Sequence, residues 1–381
     1  MDTLTNRLIQ YANINTHWKN HPNILHLFKI LQKEIGVFAD CVKIKKTKPI
    51  QKIRLSGESV QVPSWILIAQ KNRSANIKLL FNIHIDTVFS KNSSFQTCYT
   101  KNNQLYGPGV CDAKGGMVIL LDALSRYQDH LIDSAGWTIV LNADEEIGSP
   151  SSSQLLSEFA KTHTYGFIFE PPLPNKKWVS QRKSSTNLTI ISHGKSGHAG
   201  RDFFKSKHAV HQLIACLSKW TSLIPCNETQ IMNIGQIKGG SAPNIIPEIA
   251  VSTINIRTSS ANSMKRILKI IYQSKPENIT INVDSYRPPK PFDLKTQQLF
   301  EIARDINSKL QWVESSGVCD GNLFAACNLP TIDTLGAIGK NIHTHSEYIE
   351  MDSLNTGSEF LIRLIDRVTL MHSKQDKNTV Y

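Results

Sequence analysis

The sequence of 381 residues lacks long apolar runs. No stretch approaches the roughly 18 uninterrupted apolar residues that a membrane-spanning helix needs. The start of the chain, Met1 to Asn15, also lacks the basic and then apolar layout of a secretory signal. A hydrophobic content of 40% is ample for a large core, and the length favours two domains or one domain with an insertion. We therefore predict a globular protein that stays in the cytoplasm and has no membrane partner.

Cysteine pairs are missing as well. The seven cysteines are an odd number, lie far apart and form no C-x-x-C pair, so we predict reduced and mostly buried thiols. The sequons at Asn187 and Asn227 are then accidental, because a chain that never enters a secretory pathway is not glycosylated.

Acidic residues are in short supply. The 43 lysines and arginines outnumber 31 aspartates and glutamates and give a formal net charge of +12. Such a charge would suit an anionic partner, and nucleic acid is the first to consider. The densest basic run, Lys43 to Lys48, has no interleaved aromatic residues and no nucleic-acid motif around it. We therefore predict no nucleic-acid partner and only a mild preference for anionic substrates.

The apolar pattern predicts an α/β protein with polar groups at the ends of its strands. Amphipathic helices are predicted at 4–12, 23–34 and 116–127, and strands at 64–70, 77–85, 137–142 and 165–169. Three of these strands end at or run into charged groups: His84-Ile-Asp86, Asp144-Glu145-Glu146 and Glu170. We expect these groups to lie at one edge of one sheet, where α/β enzymes place their chemistry.

The pattern of predicted helices and strands changes at about residue 179. A strand, a helix, two strands, a helix and a strand follow between residues 186 and 283, which is a βαββαβ order typical of a compact α+β domain. The proline-rich stretch 287–291 is predicted to be the return hinge. We therefore predict a first domain formed by residues 1–178 and 287–381, with residues 179–286 inserted into it.

Several of the polar groups suit a pair of divalent metal ions. Such a pair needs oxygen and imidazole ligands, a bridging ligand and a separate base. His84 and Asp86 lie two apart on a predicted strand, so both point to one face, where the carboxylate can orient a ligating imidazole. Asp112 follows in a glycine-rich loop. Glu145 and Glu146, as neighbours at a strand end, would point in different directions, so that one ligates and the other acts as base.

Each group alone has a plainer interpretation. A single His84 or Glu170 is more often a satisfied polar residue than a metal ligand. Glu145 and Glu146 could form an acidic helix start. The loop 107–116 could be a turn-rich connector, and it is not a phosphate loop because no Gly-Lys-Ser/Thr follows. The combination of these groups favours the metal interpretation.

These groups belong to motifs that occur in one order along the chain: IHIDTV, YGPGVCDAKGGM, NADEEIGSPSS, FEPP, GKSGHAG, APNIIPE, TINIR, VCDGNLFAACNLPTIDTLGAIG and HTHSEYI. The ordered set resembles the zinc metallopeptidase and deacylase family of glutamate carboxypeptidase, acetylornithine deacetylase, succinyl-diaminopimelate desuccinylase and aminoacylase. It covers about residues 60 to 350 and is far more specific than any single motif. The resemblance implies a zinc-exopeptidase-like catalytic domain, with a mixed sheet flanked by helices, and an inserted ferredoxin-like lid and dimerisation domain.

The resemblance also implies a role for each site residue. One metal would be bound by His84, Asp112 and Glu170, and the other by Asp112, Glu146 and His343. Asp86 would orient His84, and Glu145 would take a proton from water and pass it to the leaving amine. His343 is preferred to His345 because it stands four before Glu347, as in the H-x-x-x-E-Y arrangement of the family. The peptide bond after the bridging aspartate is cis in relatives, which implies a cis Asp112–Ala113 bond.

Further residues are implied to contact the substrate. In dimeric relatives the histidine that matches His198 reaches the partner's active site and stabilises the oxyanion, which implies a homodimer through the inserted domain. Asn244, Arg257 and Arg287 match substrate-contacting positions, the arginines through an α-carboxylate. His198 could instead be an ordinary surface-loop histidine, and each arginine could be a surface salt-bridge partner.

Taken together, the sequence predicts a hydrolase with two divalent metal ions, Zn²⁺ or alternatively Co²⁺ or Mn²⁺, that cleaves a C-terminal amide bond and releases an amino acid. The substrate would be a short peptide or an N-acyl amino acid. A deacylase such as acetylornithine deacetylase or aminoacylase is the alternative within this class. A catalytically silent protein that binds a peptide or an amino acid is the alternative outside it.

Overall fold

The structure, a computed structural model, describes residues 3–128 and 135–378, and for 372–378 the backbone only. The outermost ends of the predicted domains, residues 1–2 and 379–381, lie outside this range. The helices are α1 (Thr3–Ala12), α2 (His21–Ile35), α3 (Gly115–Tyr127), α4 (Ser153–Ala160), α5 (Ala209–Leu223), α6 (Ala261–Ser274), α7 (Leu294–Ile306), α8 (Gly321–Ala326) and α9 (Asp352–Asn378). None of these helices combines the length and the apolar character that a bilayer crossing requires.

The strands of the same residues are β1 (Cys41–Lys46), β2 (Ile50–Ile53), β3 (Ser59–Val62), β4 (Trp65–Lys71), β5 (Ile77–His84), β6 (Tyr99–Lys101), β7 (Gln104–Tyr106), β8 (Ala135–Asn142), β9 (Tyr165–Ile168), β10 (Trp178–Arg182), β11 (Ser184–His193), β12 (Gly197–His198), β13 (Gln230–Gly239), β14 (Ile245–Ile246), β15 (Ile249–Thr258), β16 (Ile279–Arg287), β17 (Trp312–Ser315), β18 (Thr331–Ile332), β19 (Gly339–Lys340) and β20 (Tyr348–Glu350). Ten of the twenty strands named here form two separate sheets, of six and four strands, which together position the site.

The larger sheet has six strands in the order β1-β4-β8-β5-β9-β18. Strands β8, β5, β9 and β18 run parallel, and β1 and β4 add an antiparallel edge. Within β5, Phe81 and Ile83 pack into the core that contains α1, α2, α3, α7 and α9, whereas Leu80 packs with α4 and α8. Burial on both faces explains why β5 is largely apolar along its length. The predicted mixed α/β sheet, with the ends of three strands at one edge, is confirmed.

The smaller sheet has four antiparallel strands in the order β13-β15-β11-β16. Its elements follow the chain as β11-α5-β13-β15-α6-β16, which is the predicted βαββαβ order, with a short β12–β14 ladder in addition. Leu188 and Ile190 of β11 and Ile254 and Ile256 of β15 pack against α5 and α6. Because strand side chains alternate between faces, the residues between them point to the opposite face of the sheet.

Two extended segments, one containing Arg182 and the other Lys290, run side by side between the two sheets. The backbones of Arg182 and Lys290 exchange hydrogen bonds of 3.0 Å in both directions. Strand β10 pairs in parallel with β17 and does not join the smaller sheet. The chain therefore leaves the first part of the molecule at Arg182, and the predicted boundary at 178/179 lies inside β10. Pairing with β17 extends this part beyond the point where the composition changes.

The cysteines are all free thiols, as predicted. Burial is less complete than expected, because only Cys111, Cys216 and Cys319 are buried. Cys226 is exposed, and the other three are partly exposed. Cys226 follows Pro225 in the connection between α5 and β13, where the chain runs over the surface.

Candidate metal centre

The predicted ligands lie at the carboxyl edge of the larger sheet and in loops beside it. His84 is the last residue of β5, and Glu170 follows β9 by two residues. Asp112 lies in the connection that precedes α3, and the Asp112–Ala113 peptide bond is cis, as the resemblance implied. Glu146 lies in a turn after β8. His343 lies between β19 and β20, with a left-handed backbone at φ 64°.

His84, Asp112 and Glu170 form one cluster. Nε2 of His84 lies 3.1 Å from Oδ1 of Asp112 and 3.8 Å from Oε1 of Glu170. One ligand atom of each residue lies within 4.8 Å of those of the other two. His84 is buried at the end of β5.

Asp112, Glu146 and His343 form a second cluster. Nε2 of His343 lies 3.1 Å from Oδ2 of Asp112 and 3.2 Å from Oε1 of Glu146. The two oxygens of Asp112 therefore face different clusters. His345 lies elsewhere, because its ring stacks on Phe95 with centroids 5.8 Å apart.

Asp86 lies beside His84 of the first cluster and contacts the backbone of the turn that carries Glu146 of the second. Its carboxylate accepts hydrogen bonds from the backbone N–H groups of Glu145 at 3.2 Å and Glu146 at 3.0 Å. Its Oδ1 lies 3.4 Å from Nδ1 of His84, whereas its carbonyl oxygen lies nearer, at 3.1 Å. Asp86 lies beyond the end of β5, so the alternation of side chains along a strand does not explain its position. Its hydrogen bonds to the turn that carries Glu145 and Glu146 explain it instead.

Glu145 and Glu146 diverge for a different reason from the one predicted. They belong to a 3₁₀ turn at Glu145–Ile147 and not to a strand end. The tighter turn sends successive side chains in different directions. Oε1 of Glu145 lies 2.8 Å from Arg287, while Glu146 faces His343.

Burial and crowding of charge shift the pKa values of the site. Burial raises the pKa of Glu170 to about 8. Burial also raises the pKa of Glu145, and Arg287 opposes that rise. Although burial acts in the opposite direction, hydrogen bonds from His343 and His84 hold the pKa of Asp112 below its usual range. The carboxylates of Asp112 and Glu146 beside it raise the pKa of His343 to about 11.

The residues present fit a pair of divalent cations. The two clusters offer imidazole nitrogens and carboxylate oxygens, which are the donors that zinc-type sites use. Oε1 of Glu146 is buried without a well-directed hydrogen bond, so a buried acceptor lacks a partner. Four carboxylates, those of Asp112, Glu145, Glu146 and Glu170, line one cavity of about 590 Å³. Such crowding of negative charge calls for cations.

The predicted substrate-contacting residues fall into two groups. Arg257 is half-buried and lines the cavity, and Arg287 lines it but is buried. The Arg287 guanidinium lies 2.8 Å from Glu145, Asp320 and the hydroxyl of Ser149. Arg287 does not form a surface salt bridge, because Arg287 and its partner Asp320 are both buried.

His198 and Asn244 do not line this cavity. Both are exposed on the β12–β14 ladder and the turn before it, where the backbone N–H of Ala199 donates to the carbonyl of Asn244 at 2.9 Å. The chain therefore does not bring these two predicted residues to its own site.

Comparisons with known proteins agree with the geometry of the site. Residues 80–367, which include both clusters, match the family model of peptidase family M20/M25/M40. The chain belongs to this family. It is a metallo-hydrolase that acts on peptide or amide bonds.

Individual relatives of the M20 hydrolase are distant. Carboxypeptidase G2 from Pseudomonas sp. (strain RS-16) is 26% identical over 302 residues, which are 75% of this chain and 73% of that protein. Succinyl-diaminopimelate desuccinylase from Blochmanniella pennsylvanica (strain BPEN) is 25% identical over 337 residues, 81% of this chain and 86% of that protein. An M20 family metallo-carboxypeptidase from Sulfolobus solfataricus has the same fold, with a TM-score of 0.74, 15% identity and coverage of 96% and 99%.

The roles of two carboxylates of the M20 hydrolase, Glu347 and Asp320, were not predicted from the sequence. Glu347 accepts hydrogen bonds from the backbone N–H groups of Cys111 at 2.8 Å and Asp112 at 3.0 Å, and so holds the loop that carries Asp112. Asp320 is buried and pairs with Arg287. Both stand in the quoted motifs HTHSEYI and VCDGN, but a motif does not reveal which backbone group or cation its acid will meet.

Proposed function

We propose that this M20 enzyme hydrolyses a C-terminal amide bond and releases an amino acid, like a glutamate carboxypeptidase. The proposal is carried by Arg257, which lines the same cavity as the two clusters and forms no ion pair with any described acidic residue. Its guanidinium instead contacts Asn255 and a backbone carbonyl, that of Ser316. An unneutralised guanidinium in a cleft suits the α-carboxylate of such a substrate.

Two divalent cations would be held by the two clusters that share Asp112. His84 and Glu170 would complete one site, and Glu146 and His343 the other. Cations at such sites supply Lewis acidity toward a carbonyl oxygen and toward water. We propose Zn²⁺, with Co²⁺ or Mn²⁺ as alternatives, because imidazole and carboxylate sites follow metal availability as much as affinity.

The protein's own groups would move the proton. Glu145 would accept it from the attacking water at a carboxylate oxygen and deliver it to the leaving nitrogen. The pair with Arg287 would favour the ionised form of that carboxylate against the effect of burial and would hold it in place. Asp86 would fix the ring of His84 and, through its two backbone hydrogen bonds, the turn that carries Glu145.

We further propose a homodimer in which His198 acts on the partner's substrate. Residues 1–178 and 287–381 would form the catalytic domain, and 179–286 a ferredoxin-like lid and dimerisation domain. Exposure of His198 and Asn244 outside the cavity supports action in trans, where both would contact the substrate bound by the other copy. His198 would stabilise the oxyanion of the tetrahedral intermediate.

A deacylase acting on N-acyl amino acids is the second candidate. The likeness to succinyl-diaminopimelate desuccinylase supports it, at nearly the same identity as the likeness to carboxypeptidase G2. Both reactions use the same clusters and base, and they differ in the acyl side of the substrate.

The test combines metal analysis with turnover. Protein purified without chelator is analysed for metal, and wild type and Glu145→Gln are assayed on dipeptides and N-acyl amino acids. We expect two metal ions per chain in both proteins and turnover only in the wild type. Metal-free protein that stays inactive after addition of zinc or cobalt would overturn the proposal. The ratio of dipeptide to N-acyl turnover decides between the two candidate reactions.

A further inference from the structure

One face of the smaller sheet carries a row of polar side chains across all four strands. Asn233 of β13 is paired with Asn255 of β15, which is paired with Asn187 of β11, which is paired with Ser285 of β16. All four line the same cavity as the two metal clusters. On β11 and β15 their neighbours Leu188, Ile254 and Ile256 pack against α5 and α6. We call these four residues the polar row.

Arg257 determines the orientation of the amides in the polar row. A guanidinium N–H can only donate, so the atom of Asn255 that lies 3.0 Å from Nε of Arg257 is the side-chain oxygen. The amide nitrogen of Asn255 then donates to Oδ1 of Asn187 at 2.7 Å. The amide nitrogen of Asn187 donates in turn to Oγ of Ser285 at 3.0 Å. The hydrogen bonds therefore run in one direction, from Arg257 to Ser285.

This direction leaves donors to face the cavity. Ser285 keeps its O–H and Asn187 keeps its second amide hydrogen, whereas each oxygen along the chain of hydrogen bonds has one of its two acceptor positions filled by its neighbour. Asn233 is exposed to the cavity and forms no side-chain hydrogen bond with any residue in the described ranges, so its NH₂ group is also available. Arg257 adds a positive charge at one end of the row.

We infer that the polar row selects substrates whose side chain or acyl group carries an acceptor oxygen, a carboxylate or a carboxamide, over hydrocarbon groups of equal length. The inference rests on the proposed function, because the row lines the cavity that would hold the same substrate. A hydrocarbon group placed against the row would displace water from these donors and leave them without partners. Sites built to form hydrogen bonds reject analogues that lack the matching group.

The test compares N-acetylglutamine with N-acetylnorleucine, whose side chains have similar length. In the wild type we expect kcat/KM to be at least about ten-fold higher for the glutamine substrate. The variant Asn187→Leu, which removes the central amide of the row, should lower this ratio by about ten-fold. The matched control Asn262→Leu changes an exposed asparagine of α6, on the helical side of the sheet, and should leave the ratio unchanged.

A second variant and a binding measurement keep the inference open to contradiction. Asn233→Leu alters an exposed side chain that forms no hydrogen bond with the part of the chain that the structure describes, so the variant should fold normally and also lower the ratio. Calorimetric titration of the wild type with free glutamine and free norleucine reports the same preference without turnover. Equal or reversed preference in turnover and titration overturns the inference while leaving the proposed hydrolysis intact. Absence of turnover combined with a glutamine preference in the titration overturns the proposed hydrolysis and supports the selectivity inferred for the polar row.

Discussion

The guanidinium of Arg287 lies 2.8 Å from Oε1 of Glu145, a residue 142 positions earlier in the chain. Arg287 is the last residue of β16, so a strand of the smaller sheet ends in a buried ion pair with the acidic turn of the larger one. The same nitrogen lies 2.8 Å from Oδ1 of the buried Asp320. The two sheets are thereby joined at the residue proposed to move the proton.

Removal of the Arg287 charge should destabilise the protein and slow catalysis. The variant Arg287→Met leaves Glu145 and Asp320 buried without a counter-charge, so we expect a loss of about 3 kcal/mol in the free energy of unfolding. Urea denaturation measures this loss. The control Arg304→Met removes an exposed guanidinium paired with Glu301 and should cost less than about 1 kcal/mol. Equal losses in the two variants would contradict the role given to Arg287.

His343 and His345 should differ in their effect on metal content. The variant His343→Ala removes the imidazole that lies beside Asp112 and Glu146, so we expect one of the two metal ions to be lost. His345→Ala should retain both, because that ring stacks on Phe95 outside the clusters. Elemental analysis of both variants, purified in parallel, decides. Loss of metal from the His345 variant alone would reverse the assignment.

A methyl group at Gly336 should weaken metal binding without touching a metal. A Cβ atom there would lie 2.4 Å from the carbonyl oxygen of Phe169 and 2.7 Å from that of Glu170. The strand end that carries Glu170 would have to move, and we expect Gly336→Ala to lower metal affinity by about ten-fold, measured by competition with a chelating dye. Gly235→Ala is the control, since its Cβ would meet no atom nearer than 3.7 Å. Unchanged affinity in Gly336→Ala would show that the strand end tolerates the methyl group.

His163 should make the protein sensitive to acid. Burial lowers the pKa of His163 to about 4, from 6.5 in an unfolded chain. Between these values the unfolded state binds the extra proton, so stability falls as the pH drops from 6.5 to 4. We expect a loss of the order of 1–3 kcal/mol, measured by denaturation across this range, and a smaller loss in His163→Gln. His26→Gln, which alters an exposed histidine of α2, should behave like the wild type.

Much of the fold could be predicted because its signals are local. The short apolar runs of β5, β8 and β9 indicated strands, and the charged residues at their ends indicated a shared edge. The predicted boundary at 178/179 falls inside β10, which pairs with β17 more than a hundred residues later. Pairing over such distances leaves no mark in local composition.

The candidate site was predictable in its residue types more than in its geometry. Alternation along a strand suggested that Glu145 and Glu146 point in different directions, but a 3₁₀ turn held by Asp86 is the cause. Arg287 matched a substrate-contacting position, yet the structure surrounds it with carboxylates. The partner of a charged side chain depends on which distant loop it meets, and a motif contains no such information.

The sequence by itself determined the order of the elements, the kinds of ligand at the strand ends and the family, because these depend on periodicity and on motifs read along the chain. Only the tertiary structure decided that the two oxygens of Asp112 face His84 and His343, and that Arg257 orients the amide beside it with no acidic partner among the described residues. These relationships depend on loops and strands far apart in sequence. Their geometry is set by packing and by the pairing of buried charges.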